Sequence, residues 1–169
     1  ENCIIVGSLN SKYIKQLIQK EKLEKKQLQG KNEKYIITTV DAPFNGVKKA
    51  LVIAGSDRRG TIYGVYELSK QLGVSPWYWW MDVPVVKRTE AYILPGIYTD
   101  GEPAVKYRGI FLNDEAPCLT SWVKQYYGTD FGDHRFYAQV CELILRLKGN
   151  FLWPAMWGWA FYADDSLNS

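Results

Sequence analysis

Residues 50–85, ALVIAGSDRRGTIYGVYELSKQLGVSPWYWWMDVPV, restrict the fold more than any other stretch of the chain. Leu51, Val52, Ile53 and Ala54 make an apolar run too short for an ordinary helix and closed by Gly55, the pattern of a strand buried on both faces. That strand feeds the turn G-S-D-R-R-G, in which Ser56 or Asp57 can cap a following helix and Gly60 leaves room for backbone. Ile62, Val65, Leu68 and Leu72 then recur at helical spacing. Gly60 and Gly64, four apart, leave one face of that helix so bare that another backbone can pack directly on it. Gly73 reads as the left-handed stop, and Pro76 forbids continuation. Trp77, Tyr78, Trp79 and Trp80 follow in consecutive positions and are expected to form an aromatic strand clasped between two layers or two domains.

The turn admits a second reading, since a Gly-rich strand-to-helix turn is one way to hold phosphate. Both G-x-G-x-x-G and the G-K-[ST] of a phosphate loop are absent, which favours a structural turn over a nucleotide site. Asp57, Arg58 and Arg59 are still placed to reach into a cleft shared with a following domain, so Asp57 and Arg58 are substrate-binding candidates.

Upstream, Cys3-Ile4-Ile5-Val6 before Gly7-Ser8 predicts a first buried strand. A helix from Ser11 follows, with Ile14, Leu17 and Ile18 on one face, and Gly30 marks its end or the loop after it. The seven lysines from Lys12 to Lys31 read as a solvated helix face; Tyr13 is the one aromatic among them, too little interleaving for a base-stacking surface, so no nucleic-acid partner is expected. Residues 35–40, rich in β-branched side chains, predict a second strand that forms a hairpin with residues 51–54 across the turn Phe44-Asn45-Gly46. The outline of the first domain is β-α-β-β-α-β around a mixed sheet with helices on one or both faces.

Residues 83–100 mix prolines, glycines and charges, which places a domain boundary near 100. The fold class expected is α/β: a mixed-sheet domain over residues 1–100, then, over residues 101–169, the start of a parallel βαβ architecture. Residues 106–112 predict a strand ending in Asn113-Asp114-Glu115, followed by Ala116-Pro117 and a loop to about Gly132. Phe136, Val140, Leu143, Ile144 and Leu147 predict a helix stopped by Gly149, with Cys141 in its core. Residues 150–153 resume as a strand left through Pro154, Met156 and Trp157. This is one βαβ unit, the sequence image of the first two strands of a (β/α)8 barrel, and against about 250 residues for a whole barrel it reads as truncated.

Hydrophobic residues make up 47% of the 169 and charged ones 23%, an ordinary globular balance rather than a disordered one. The 7 Trp and 12 Tyr either build a large aromatic core or line a sugar site, where flat rings stack on pyranose C–H groups. Cys3, Cys118 and Cys141 have no metal spacing, and the lone His134 cannot make a multi-histidine site, so neither metal nor cofactor is expected. No leader and no long apolar run is seen, so no membrane partner is expected.

Three segments carry a resemblance. GSDRRGTIYGVYELSKQLGVSPWYWWMDVPV is similar to the end of the N-terminal α/β domain of family 115 glycoside hydrolases, the xylan α-glucuronidases. KYRGIFLNDEAP and HRFYAQVCELILRLKGNFLWPAMWG, with AFYADD after them, resemble the first strand, first helix and second strand of that family's barrel. The likeness is weakest over residues 1–34, and Trp159 stands where the family implies Asn, so no polar role is expected there. The resemblance implies an inverting enzyme that removes glucuronic acid or its 4-O-methyl ether, α-1,2-linked to xylose, from glucuronoxylan or xylo-oligosaccharides. It also implies a secreted or periplasmic location and leaves open a homodimer made through further domains.

Inversion needs an acid and a base about 6.5–9.5 Å apart with water between them. Adjacent Asp114 and Glu115 diverge at a strand end and cannot be that pair alone, so at least one partner comes from later strands and this chain by itself is expected to be inactive. Asp114 is the catalytic candidate. Asn113, Glu115, Trp153 and Trp157 are substrate-binding candidates with Asp57 and Arg58. For each, capping, salt bridging or core packing is the alternative. Two other functions stay open: a barrel glycosidase with a small α/β domain ahead of it, such as a family 20 hexosaminidase, and a non-catalytic carbohydrate-binding module that uses residues 77–80.

Overall fold

The structure, a computed structural model, describes residues 1–113, 116–130, 132–154 and 161. The chain divides into two compact units, Glu1–Lys106 and Tyr107–Ser169.

In the first unit a four-stranded mixed sheet holds β1 (Asn2–Ser8), β2 (Tyr35–Asp41), β3 (Lys49–Gly55) and β4 (Ile97–Tyr98) in the order β1-β3-β2-β4. β3 runs parallel to β1 and antiparallel to β2, with Ile5 beside Val52 and Ile36 beside Ala54. The expected hairpin is therefore present, and the apolar run 51–54 is central because both its neighbours are strands. Strand alternation sorts the side chains into two layers. Ile5, Ile36, Val40, Val52 and Ala54 pack on one face with Ile14 and Leu17 of α1 (Lys12–Gln19). Ile53 and Tyr35 meet α2 (Arg58–Gln71) on the other.

The lysine-rich stretch departs from a plain solvated helix. α1 ends at Gln19, and only a short 3-10 turn, Lys25–Gln27, follows. Leu23 and Leu28 are buried in the core while Lys22, Lys25 and Lys26 face water. Two leucines thus anchor a segment whose charge pattern hides them.

Asp57 caps α2, accepting the Gly60 amide at 2.8 Å. The buried face of α2 is Gly60, Tyr63 and Gly64; Val65 and Leu72 of the aliphatic stripe are exposed. Close approach decides this: a Cβ on Gly60 would collide with the Lys34 carbonyl oxygen, and one on Gly64 would lie 2.6 Å from Ile53 Cγ2. The Lys34 backbone just before β2, and the Ile53 and Tyr35 side chains of the sheet, therefore sit where larger helix side chains would otherwise be.

Three helices close with the same pair of hydrogen bonds, from the two residues after the C-cap back to the last turn. In α2 Gly73, at φ 102°, donates to Lys70 and Val74 to Ser69. In α1 the left-handed residue is Glu21, at φ 55°, and in α4 (His134–Arg146) it is Lys148, at φ 60°. The stop at Lys148 is one position earlier than Gly149, where the sequence implied it; a Cβ on Gly149 would stand 2.7 Å from Ile144 Cγ2, so it is glycine for space.

Residues 77–80 are not a strand. Ser75 and Pro76 start a helical turn: the Ser75 hydroxyl accepts the Trp77 amide at 3.1 Å, and the Met81 amide bonds the Trp77 carbonyl at 2.9 Å. A Ser cap followed by proline, whose φ is already set for a helix, prevails over the β preference of the rings. Trp77 is 40% exposed within this chain. Trp79 and Trp80 pack edge to face, centroids 4.8 Å apart.

The second unit contains β5 (Gly109–Phe111) and β6 (Phe151–Trp153), paired in parallel, with α3 (Cys118–Tyr127) and α4 between them in sequence. α4 buries Phe136, Tyr137, Val140, Leu143 and Ile144. Leu147 and Cys141, expected in its core, are exposed: Leu147 is the C-cap, and residue 141 is turned about 100° from Val140 around the helix. α3 replaces part of the loop expected between 116 and 132. Its sequence CLTSWVKQYY buries one aliphatic residue, Val123, so no stripe announces it.

Candidate functional site at the strand ends

β5 and β6 begin at a reciprocal bracket. The Arg108 amide donates to Asn150 Oδ1 at 3.0 Å, and the Asn150 amide donates to the Arg108 carbonyl at 2.7 Å. Arg108 Nε donates to the Lys148 carbonyl at 2.9 Å, tying the left-handed end of α4 to the start of β5. A Cβ on Gly109 would run into the Phe151 carbonyl, so glycine is what lets the strands approach here.

This bracket fixes the register Gly109↔Phe151, Ile110↔Leu152, Phe111↔Trp153. Ile110 and Leu152 are half-buried, whereas Phe111 and Trp153, one position on, point to the opposite face and are 57% and 52% exposed. Their rings meet edge to face at 5.5 Å. The Leu112 amide extends the pairing by donating to the Trp153 carbonyl at 2.9 Å. Exposed Asn113 comes next. A fixed aromatic pair thus stands at the carboxyl ends of two parallel strands, the end at which α/β sheets place ligands. Phe111 was not among the sequence candidates; its signal is that it is the register partner of Trp153.

The helices after β5 are held by aromatic rings and one charge cluster. Trp122 stacks on Tyr126 at 5.2 Å and meets Phe136 of α4 at 6.3 Å. Asp133 caps α4 by accepting the Arg135 and Phe136 amides at 3.0 and 3.3 Å. It also pairs with the Arg135 guanidinium at 2.7 Å. Burial pushes the Asp133 carboxyl up, but the bonds from Arg135 and the backbone amides outweigh it and hold it below the usual aspartate range. Arg135 donates onward to the Tyr127 carbonyl at 3.0 Å. The Tyr127 hydroxyl is buried without a hydrogen-bond partner among the described residues, and burial raises its pKa. His134 lies exposed in the first turn of α4.

Of the sequence candidates, Asn113 and Trp153 stand together at the strand ends, whereas Asp114, Glu115 and Trp157 lie outside the described residues. Asp57 belongs to the first unit, where both oxygens are engaged: one takes the Gly60 amide, the other the Glu33 amide at 2.6 Å. Arg58 is exposed beside it. Among the described residues no group of His, Cys, Asp and Glu is arranged to hold a metal, and no helix is long and apolar enough to cross a membrane.

The sequence profile of Glycosyl hydrolase family 115 matches residues 100–169, which include the whole second unit. A solved structure described as "a novel family GH115 4-O-Methyl-alpha-glucuronidase, BtGH115A, with specificity for decorated arabinogalactans" is similar over 96% of this chain, with 35% sequence identity and a TM-score of 0.79. The chain spans 21% of the length of that structure. No curated protein matches. The profile match at the strand ends and the likeness across both units agree: the chain belongs to glycosyl hydrolase family 115.

Proposed function

We propose that the protein is an α-glucuronidase that hydrolyses α-1,2-linked glucuronic acid, or its 4-O-methyl ether, from a decorated polysaccharide. The observation that carries this reading is the Phe111–Trp153 pair at the carboxyl ends of parallel β5 and β6, inside the family-matched residues and followed by Asn113, Asp114 and Glu115. β5 and β6 are read as the first two strands of a (β/α)8 barrel whose catalytic rim lies at those ends.

In that arrangement the Trp153 ring offers a flat apolar wall to pyranose C–H groups. The Asn113 amide can both donate to and accept from sugar hydroxyls. Asp114 acts as general base on the attacking water or orients it, and Glu115 contacts the substrate. Inversion requires a second carboxylate across the scissile bond. Asp114 and Glu115 are neighbours in sequence, so the general acid is assigned to a later strand, and activity belongs to a protein in which the barrel is complete. Asp57 braces the 31–34 loop and caps α2, which leaves Arg58 as the residue of that turn open to substrate.

The test is hydrolysis by the enzyme with its complete barrel on glucuronoxylan, decorated arabinogalactan and chitobiose, with the anomer of the first product read by NMR. Glucuronic acid from either decorated polysaccharide, released with inverted configuration, supports the reading. Hexosamine release from chitobiose, or no release from any of the three, contradicts it.

A further inference from the structure

We propose that the first unit carries a second carbohydrate site, built from none of the strand-end residues, that holds an uncharged stretch of polysaccharide. A cleft of about 540 Å³ lies between the last turns of α2, the start of β2 and residues 92–100, within the range of about 300–1,000 Å³ usual for ligand sites. One wall is aromatic. Tyr98 is pinned in β4 beside Ile37, and its hydroxyl donates to the Leu94 carbonyl at 2.9 Å, yet 43% of the residue stays exposed. Tyr92 lies 86% exposed on the same cleft, its hydroxyl donated to Glu90 at 2.6 Å. The Tyr98 ring is thus a pre-ordered stacking surface for a pyranose, and Tyr92 offers a second ring beside it.

The α2 side sets polar groups beside Leu68, over a floor that is otherwise aliphatic, with Ile37, Ile93, Leu94 and Ile97. Glu67 and Gln71, one helical turn apart, are joined by a 2.7 Å bond from the Gln71 amide, and Asp100 lies at the cleft's other margin. Hydroxyl-rich ligands donate to carboxylates and amide oxygens, which apolar protein segments do not. Charge selects further. Among the described residues the lining holds two carboxylates, Glu67 and Asp100, and no Lys, Arg or His, so a uronic acid is disfavoured relative to neutral sugar hydroxyls. The site therefore fits the main chain of a decorated polysaccharide rather than its glucuronate branch. The choice of polysaccharide rests on the reading proposed above; the cleft chemistry does not.

The experiment is isothermal titration of the full chain with unsubstituted xylo-oligosaccharides, with neutral galacto-oligosaccharides and with free glucuronic acid. At least one neutral series should bind, and Tyr92→Ala and Gln71→Ala, both at exposed positions, should each weaken it tenfold or more with an unchanged circular dichroism spectrum. Which series binds tells the xylan source from the galactan one. Absence of binding by either series, binding untouched by both variants, or glucuronic acid binding that the same two variants weaken would overturn the site. Hydrolysis plays no part in this readout. Neutral-sugar binding in a protein that releases no glucuronic acid would keep the site and remove the activity.

Discussion

Arg108 and Asn150 hold one another across the start of the parallel pair, the Arg108 amide bonding Asn150 Oδ1 at 3.0 Å and the Asn150 amide bonding the Arg108 carbonyl at 2.7 Å. The side chain of Asn150 does here what a further strand residue would do, so Asn150→Ala leaves a part-buried amide without its acceptor. Loss of about 1–3 kcal/mol is expected. Urea unfolding, followed by the near-ultraviolet signal of Trp153 and Trp122, measures it, and Asn150→Asp should recover most of the loss because it restores an acceptor.

Lys148 bonds Arg108 through its main-chain carbonyl, so its side chain is dispensable to that contact. Its left-handed backbone, at φ 60°, is costly for any residue with a Cβ. Lys148→Gly should raise stability by about 0.5–1 kcal/mol after allowing for glycine's freer unfolded chain. Glu21→Gly, at the matching position of α1, should do the same. A lower melting temperature in both variants would refute this account of the helix ends.

Gly60 and Gly73 make a paired test of why glycine is used. Gly60→Ala drives a Cβ into the Lys34 carbonyl and should cost about 1–3 kcal/mol or more. Gly73 has nothing within 4 Å of such an atom, so Gly73→Ala bears only the cost of a left-handed φ of 102°. Thermal melts of the two variants should rank Gly60→Ala as the more damaging.

Acid stability follows from Asp133, whose carboxyl is held below the usual aspartate range. A lowered folded pKa means that its contribution is present above the unfolded pKa and is lost as pH falls through the folded one. Urea midpoints should therefore drop from about pH 5 to about pH 2. In Asp133→Asn, which can still cap α4, that slope should be shallower; an unchanged slope would show that other carboxylates set the acid limit.

The sequence displayed the parts of the fold that depend on local pattern. The hairpin of β2 and β3, a cap in Ser56-Asp57 and the Gly73 stop are all written in consecutive residues; the structure has the hairpin and the stop where they were expected and gives the cap to Asp57, which the sequence left level with Ser56. What was hidden depends on distant partners. Val65 and Leu72 stand at helical spacing yet are exposed, because the bare Gly60–Gly64 face lets the sheet take the other side of α2. Residues 77–80 read as a strand from their rings, but Ser75 and Pro76 set a helical turn first. α3 was missed because Val123 is its one buried aliphatic residue and its rings answer to Phe136, in the next helix. At the site, Trp153 was visible as a residue type, whereas Phe111 became a candidate only through the register that pairs the two.

The most direct test of the proposed chemistry compares Asp114→Asn with the wild type in the enzyme carrying its complete barrel, measuring glucuronic acid release and thermal melting on the same preparations. Asn keeps the shape of the side chain and removes its charge and basicity. If Asp114 is the general base, turnover falls by about 10²–10⁴ while the melting temperature stays near wild type. A variant that melts lower but turns over at the wild-type rate would contradict the account and make Asp114 a cap for its loop.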